Sequence, residues 1–432
     1  MKSFFPLREI PAKPSFGRGD VLVLFGELFN RGYANGLVEA AEKAGVKIVR
    51  ATVGRREKNG QLRALTAEEI QGIPQPFINV PLEAGFDMEP DSQGRTPIEQ
   101  LKDIKLPDWQ TAKLDFSSIE ESQKKGTQRF RDNVTQFMKE LEPHLPADGN
   151  VLFAHLMAGG VPRAKIIMPL MNRAFKGVGD RYLPSKDLWD SDIGKLCSLS
   201  FFDVTAETLR HLIQLSQDVR EKVQARGHQV SYVAYGYHGT EIWFNGSYQW
   251  QTYTPYIQGW AKRRLEDISR EYHSQGIKTA VYNCPEILTN SSSIFQGVEV
   301  SLYPLLFAVE KESNSAPAAQ ALLKLCKTRL KADSGFEKIK QLSTAYFQSP
   351  LTKEYCQFDK WPQHSSKEQL DQMLACSEAL IDCHESPKQL ITSDLSETVF
   401  RGCGLAMLAD AGLAEQPVVW LGHDLMAKSL LL

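Results

Sequence analysis

The sequence has little of what would tie it to a metal, a membrane or a nucleic acid. Its seven cysteines, an odd number, are spread from Cys197 to Cys403 with no Cys-x-x-Cys pair, the spacing from which zinc sites and redox pairs are built. Reduced, structural thiols are the expectation. Cys383 stands beside His384 with no second ligand at a matching spacing, so no metal site is expected. No run of about eighteen apolar residues occurs, and the opening MKSFFPLREIPAKPSF lacks the apolar stretch of a signal peptide. A cytoplasmic protein without membrane insertion is expected. Net charge is small as well: fifty Lys and Arg against fifty-two Asp and Glu leave −2, too weak a field to gather nucleic acid. Internal repeats and low-complexity tracts are missing. What remains is an ordinary globular chain of 432 residues, 42% hydrophobic, long enough for a large core in one domain or two.

Within that frame, short apolar runs alternate with helical periodicity. Asp20–Phe25, Val46–Thr52, Phe77–Leu82, Val151–His155, Val230–Tyr235 and Lys278–Tyr282 read as strands, near-continuous in apolar character as strands covered on both faces are. Amphipathic stretches lie between them: LVEAAEKAG after the first, the second half of Ser117–Leu145, Leu196–Leu215, and Pro255–Tyr272 with Ile257, Ala261, Leu265, Ile268 and Tyr272 at helical spacing. This order predicts a doubly wound α/β fold of the Rossmann type, a parallel sheet with helices on both faces. Residues 1–305 form the expected catalytic core, and 306–432 a mostly helical C-terminal addition packed on it, with one further strand over Val418–His423. Glu83–Phe116 has no clear period and reads as an insertion.

Ligands of such folds gather beyond the carboxyl ends of the strands. After the first strand comes Gly26-Glu27-Leu28-Phe29-Asn30-Arg31-Gly32-Tyr33-Ala34-Asn35-Gly36, a glycine-spaced turn into a helix. A dinucleotide pyrophosphate must approach backbone N–H groups at a helix start, and side chains at Gly26, Gly32 and Gly36 would obstruct it. A strand-to-helix turn also uses glycine for backbone reasons alone. After the second strand, Arg50, Arg55 and Arg56 suit a 2′-phosphate better than free ribose hydroxyls, which leans the cofactor choice toward NADPH over NADH; a solvated basic loop is the plainer alternative. His155 reads as a satisfied core histidine. Arg163, Lys165, Arg173, Lys176, Arg181 and Lys186 form a basic run that reads either as a solvated face or as a docking patch for an acidic, phosphate-bearing partner.

The stretch from Val230 to Thr289 carries the chemistry. Tyr237, Tyr253 and Lys262 follow a strand expected to end at Tyr235, in a polar loop and the helix after it. On one continuous helix, nine residues at about 100° each would put Tyr253 and Lys262 on nearly opposite faces. Pro255 offers an escape as first helical residue, with Thr254 as cap and Tyr253 on the incoming loop. Tyr256 lies about 240° from Lys262 and ranks below the other two tyrosines.

Tyr253-x8-Lys262, within YTPYIQGWAK and after VAYGYHGTEI, resembles the enoyl reductases of the short-chain dehydrogenase/reductase superfamily, above all the FabV class. The glycine turn is similar to that of the FabI class, and the chain from GDVLVLFGELFNRGYANG onward looks closer still to the FabMG-type family. The resemblance implies NAD(P)H-dependent reduction of a trans-2-enoyl thioester on carrier protein or coenzyme A, in fatty acid synthesis. It implies catalysis by Tyr253, Tyr237 and Lys262, with the cofactor held by Gly26, Gly32, Tyr33, Gly36, Arg55 and Lys262. It adds Ala158 and Gly159, matching two residues of the superfamily's Asn-Ala-Gly turn. It adds Thr289, from a Pro-Gly-x-x-x-Thr pattern in which Glu286 stands for the glycine, and a lid over Asn290–Gly297. The rivals are a carbonyl or hydroxyl oxidoreductase of the same superfamily, against which Gln258 breaks the usual Tyr-x-x-x-Lys, and a cofactor-binding scaffold without turnover.

Overall fold

A computed structural model describes residues 4–244, 246–252, 257–288 and 297–432. Eight strands form one sheet: β1 (Pro6–Leu7), β2 (Val21–Glu27), β3 (Lys47–Thr52), β6 (Phe77–Pro81), β7 (Val151–His155), β8 (Val230–Gly236), β11 (Thr279–Asn283) and β12 (Val418–Leu421). Their spatial order is β1-β12-β11-β8-β7-β2-β3-β6, and each neighbouring pair runs parallel. The chain winds outward from β2 to β6, returns to β7 on β2's other side, and winds the opposite way. The order therefore reverses between β2 and β7, where doubly wound sheets open a ligand crevice.

Alternation along the central strands splits the core into two layers. Leu22, Leu24, Leu152, Ala154 and Val233 face one side, together with Leu37 and Val38 of α1 (Tyr33–Lys43) and much of the C-terminal region. Val21, Val23, Phe25, Val151, Phe153 and Tyr232 face the other, against Phe130, Val134 and Phe137 of α2 (Phe116–Leu141). This is why these strands read as unbroken apolar runs: both faces are buried.

The region after residue 306 is mostly helical, and it is also part of the core. β12 stands in the sheet between β11 and β1, and a helix at Ile391–Asp410 lies across α1. The polar loop expected after β8 is in fact largely a hairpin, β9 (Thr240–Phe244) against β10 (Ser247–Gln251), with Trp243 opposite Tyr248. Cross-strand aromatic pairing decided it where polarity suggested a loop. The helix expected at Leu196–Leu215 is present and continuous from Asp192, with a π-helical turn inside it: α3 (Asp192–Phe201), the turn at Phe202–Glu207 and α4 (Thr208–Leu215). Arg55–Arg56 forms β4 and pairs antiparallel with β5 (Leu62–Arg63). Among the described residues no helix is long and apolar enough to cross a membrane.

Candidate active site

β2 ends at Glu27, and the chain turns at Gly26 with φ +124°, where an added Cβ would sit 3.1 Å from Leu156 Cβ and 3.2 Å from Met157 Sδ. α1 then begins after Gly32 with no side-chain cap and no acidic residue in its first turn. A Cβ at Gly32 would meet nothing within 4 Å, so the space in front of these uncapped N–H groups is open. That is the electrostatic requirement for a pyrophosphate. Gly36 does different work: a Cβ there would lie 1.7 Å from the Phe400 carbonyl oxygen, because α1 crosses the Ile391–Asp410 helix at Gly36 and Gly404. Its bare backbone serves helix packing. Tyr33 donates its hydroxyl to the Pro285 carbonyl at 2.5 Å and stacks on Tyr235 with centroids 5.7 Å apart, tying the helix start to the loop after β11.

Next to this turn lies a cavity of about 210 Å³ under the ends of β2, β3, β6 and β7. Small residues line it, Ala84, Gly85, Ala158 and Gly160 among them, with Phe29, Met157 and Val204 as apolar walls and Glu27, Glu83, Asp87 and Arg163 as charges. Gly159 adjoins it and accepts a hydrogen bond from Thr205 of the π-helical turn at 2.8 Å. The extra backbone residue of that turn is placed where it meets the loop after β7, as such turns often are at functional sites. Crevice, open helix start and small lining together fit a dinucleotide.

The three arginines that favoured NADPH are engaged by carboxylates. Arg50 pairs with Glu42 at 3.2 Å, Arg55 makes two hydrogen bonds to Glu27 at 2.9 and 3.0 Å, and Arg56, nearly buried, bridges Glu83 and Glu89 at 2.7 and 2.8 Å. The basic run after residue 161 is not a uniform face either. Arg163 is turned back onto Asp87 and Glu83, both at 2.8 Å, and Lys186 pairs with Asp190 at 2.5 Å.

The second group of side chains gathers at the ends of β8 and β11. Lys262, on α5 (Ile257–Ser274), is 6% exposed and donates from Nζ to the Tyr235 carbonyl at 2.7 Å. Burial pulls its pKa down to about 8, because an ammonium loses hydration that one carbonyl does not replace. Tyr237, half-buried just beyond β8, donates its hydroxyl to Glu286 Oε2. Burial pushes the Glu286 carboxyl up to about 8, against the hydrogen bonds from Tyr237 and the Ile287 N–H. His155 lies 2.8 Å from the Thr208 hydroxyl, and burial with the nearby Lys262 charge drives its pKa down to about 3. It is a neutral, satisfied core histidine.

The backbone that carries Tyr237 is clamped from beneath. The His238 N–H donates to Asn283 at 2.7 Å, the His238 ring meets the fully buried Glu266 at 3.2 Å, and Asn283 donates to the same carboxylate at 3.0 Å. The imidazole also stacks between Phe358 and Trp361, with centroids 4.5 and 4.2 Å away. Sequence reasoning named Tyr237 and Lys262 but not this support, and it passed over Glu27 on the cavity wall. Glu286 was noticed only as a departure from a glycine, although an acid where a pattern wants glycine is a signal in itself. Tyr253, Tyr256 and Thr289, and the lid stretch up to Gln296, fall outside the described residues. Among the described residues, no cluster of His, Cys, Asp and Glu could hold a metal ion.

The model of the family described as "Enoyl-acyl carrier protein reductase FabMG" matches residues 3–430. Two solved structures are similar over the whole chain. One, the apo structure of FabMG, described as of novel types of enoyl-acyl carrier protein reductase, is 46% identical with a TM-score of 0.95, covering 100% of this chain and 98% of that one. The other, an NADH-bound structure of FabMG, is 41% identical with a TM-score of 0.80, covering 100% and 99%. Among curated proteins nothing matches. The chain belongs to the FabMG family of enoyl-acyl carrier protein reductases.

Proposed function

We propose that this enoyl reductase takes trans-2-enoyl groups as thioesters of acyl carrier protein, uses NADH, and works through Lys262 with Tyr237 and Tyr253. A bound nicotinamide supplies the hydride. Its delivery to the substrate β-carbon moves charge onto the thioester oxygen, and an oxyanion forming away from water needs a hydrogen-bond donor already in place. A tyrosine hydroxyl suits, because its ordinary pKa near 10 keeps it protonated at neutral pH. Below about 8 the Lys262 side chain is an ammonium, able to stabilise a phenolate and to hold the cofactor ribose. Tyr237 follows the end of β8, and Tyr253 stands nine positions before Lys262 in the sequence.

The observation that carries this reading is the burial of Lys262 at the carboxyl end of the sheet without a carboxylate partner among the described residues. NADH is favoured because Arg50, Arg55 and Arg56 already have partners and because the 41%-identical FabMG structure is NADH-bound. The cavity and the open start of α1 supply the seat: Gly26, Gly32 and Tyr33 at the turn, Ala158 and Gly159 after β7. The exposed basic residues Lys165 and Arg181 are the first place to look for carrier-protein docking.

The test is loss of NADH absorbance with purified protein and a trans-2-enoyl thioester on carrier protein, run beside the coenzyme A thioester and with NADPH. Consumption with the carrier-protein substrate is expected. Tight NADH binding with no oxidation by either thioester would support the scaffold reading instead.

A further inference from the structure

Glu27 occupies a position that nothing in the glycine turn requires. It closes β2, its side chain is 18% exposed, and its carboxylate lines the cavity beneath the strand ends. It faces sideways, toward the end of β3. Oε2 accepts from the Thr52 hydroxyl at 2.8 Å, from the Val53 N–H at 3.3 Å and from Arg55 Nη1 at 2.9 Å, while Oε1 accepts from Arg55 Nη2 at 3.0 Å. Arg55 Nη1 also donates to the Gly54 carbonyl at 2.8 Å. Burial alone would raise the Glu27 pKa, but Arg55 and Thr52 overcome it and lower it, so the carboxylate is charged at neutral pH.

In doubly wound folds the end of the strand next to the glycine turn is where the adenosine ribose is read, by an acid for a 2′-hydroxyl or an arginine for a 2′-phosphate. Here both types are present, and they are locked together. An arginine whose fork is filled by a carboxylate offers few donors to a phosphate. The other charges on the cavity wall point the same way: Glu83 and Asp87 line it beside Arg163, whose guanidinium is itself bound to both.

We propose that Glu27, reaching across from β2, determines cofactor choice by holding Arg55 away from a 2′-phosphate while presenting its own carboxylate to the ribose end of the cavity. The residue that discriminates thus comes from the first strand of the fold, and Arg55 is its captive rather than a phosphate ligand. This rests on the reading of the cavity as the dinucleotide seat, and binding of NADH by the unaltered protein tests that reading separately.

The experiment is equilibrium binding of NADH and NADPH, followed by cofactor fluorescence, to the wild type, Glu27→Gln, Glu27→Ala, Arg55→Ala and the Glu27→Ala/Arg55→Ala double variant, with thermal melting to confirm folding. The wild type should prefer NADH. Glu27→Gln keeps the shape and removes the charge, and should shift the NADH-to-NADPH affinity ratio toward NADPH by about tenfold or more, a change of about 1.4 kcal/mol. Glu27→Ala should do the same, and the double variant should lose most of the NADPH gained, since the freed arginine would be the new ligand. Arg55→Ala alone should leave NADPH affinity at the wild-type level. An unchanged ratio in both folded Glu27 variants, or a double variant that keeps all the NADPH affinity of Glu27→Ala, overturns the proposal. So does a tenfold loss of NADPH affinity in Arg55→Ala, which keeps the test decisive even if the Glu27 variants fail to fold. Failure of the wild type to bind NADH at all would sink the dinucleotide reading itself.

Discussion

At the carboxyl ends of β2, β3 and β6, Arg55, Arg56, Arg129 and Arg163 each face a carboxylate. At the ends of β8 and β11, by contrast, Lys262 donates to a carbonyl and Glu286 accepts from a phenol and a backbone N–H. Charges taken out of water are tolerable when paired and hydrogen-bonded, and an unpaired group responds by moving its pKa toward the neutral form. The first region is held by ion pairs in fixed geometry, which is what recognition needs. Against burial, arginines draw Glu27 and Glu89 below the usual carboxylate range, and only at Asp87 does burial outweigh its arginine and raise the pKa. In the second region Lys262 and Glu286 both titrate near 8, so small changes of environment decide their protonation. Displaced pKa values of this sort concentrate where protons move.

The most damaging way to test that contrast is to remove the buried cation Lys262. Lys262→Ala should cut turnover on the order of 10²- to 10³-fold and raise the Michaelis constant for NADH as well, if the residue serves both tyrosine and ribose as proposed. Tyr237→Phe and Tyr253→Phe should lose turnover chiefly, about 10²-fold for the principal donor, with Tyr256→Phe nearly silent. Steady-state kinetics on the four variants decides the matter, and a silent Tyr253→Phe beside a damaging Tyr256→Phe would overturn the spacing argument.

In the paired region the same kind of deletion should act on stability. Arg56→Ala leaves Glu83 and Glu89 partly uncompensated, although Arg129 still reaches both, and a loss on the order of 3 kcal/mol is expected from breaking a buried pair. Denaturant unfolding measures it, and the folded fraction should keep its turnover. A stable Arg56→Ala with failed catalysis would erase the distinction between the two regions.

A subtler expectation concerns pH. Glu286 has a folded pKa above the ordinary 4.5, so between about 4.5 and 8 the folded state holds a proton that the unfolded chain has released. Its contribution to stability is therefore fully present below the unfolded value and is lost as pH rises toward 8. Glu286→Gln should remove that decline, so its stability relative to the wild type should climb across this window in pH-dependent melting curves. Turnover of the wild type should also fall above about 8, where Lys262 loses its charge. A flat difference between the two melting curves would remove the shifted carboxyl.

The smallest effect separates two glycines of one turn. Gly36→Ala places a methyl against the Phe400 carbonyl and should destabilise by about 1–3 kcal/mol, as overpacking does. Gly32→Ala meets nothing within 4 Å but puts a side chain on a backbone at φ +159°, so it should lose about 1 kcal/mol to strain, and Gly32→Leu should in addition weaken cofactor binding. NADH affinity separates the two sites: folded Gly36→Ala should keep it, and an equal loss of affinity in Gly36→Ala and Gly32→Leu would return Gly36 to the cofactor.

By itself the sequence determined most of the sheet, all but its two-residue edge strand β1. Apolar runs such as Val151–His155 are legible because a strand buried on both faces admits almost no polar residue, and the observed strand keeps those limits. Tyr237 and Lys262 were legible through their resemblance to a known reductase pattern, and the glycine turn through its place after β2. Neither periodicity nor spacing could show that Arg55 belongs to Glu27, twenty-eight positions away, or that Gly36 answers to Phe400 from the far end of the chain. The same holds for the clamp of His238 by Glu266 and by the aromatic pair Phe358 and Trp361. Local pattern fixes which face of an element is apolar, whereas the partner of a buried charge or a bare backbone is set by which distant segments the fold brings within about 3 Å of each other. That is why the arginines read as phosphate ligands in the sequence, and why only the tertiary structure could show that their charge was already spoken for.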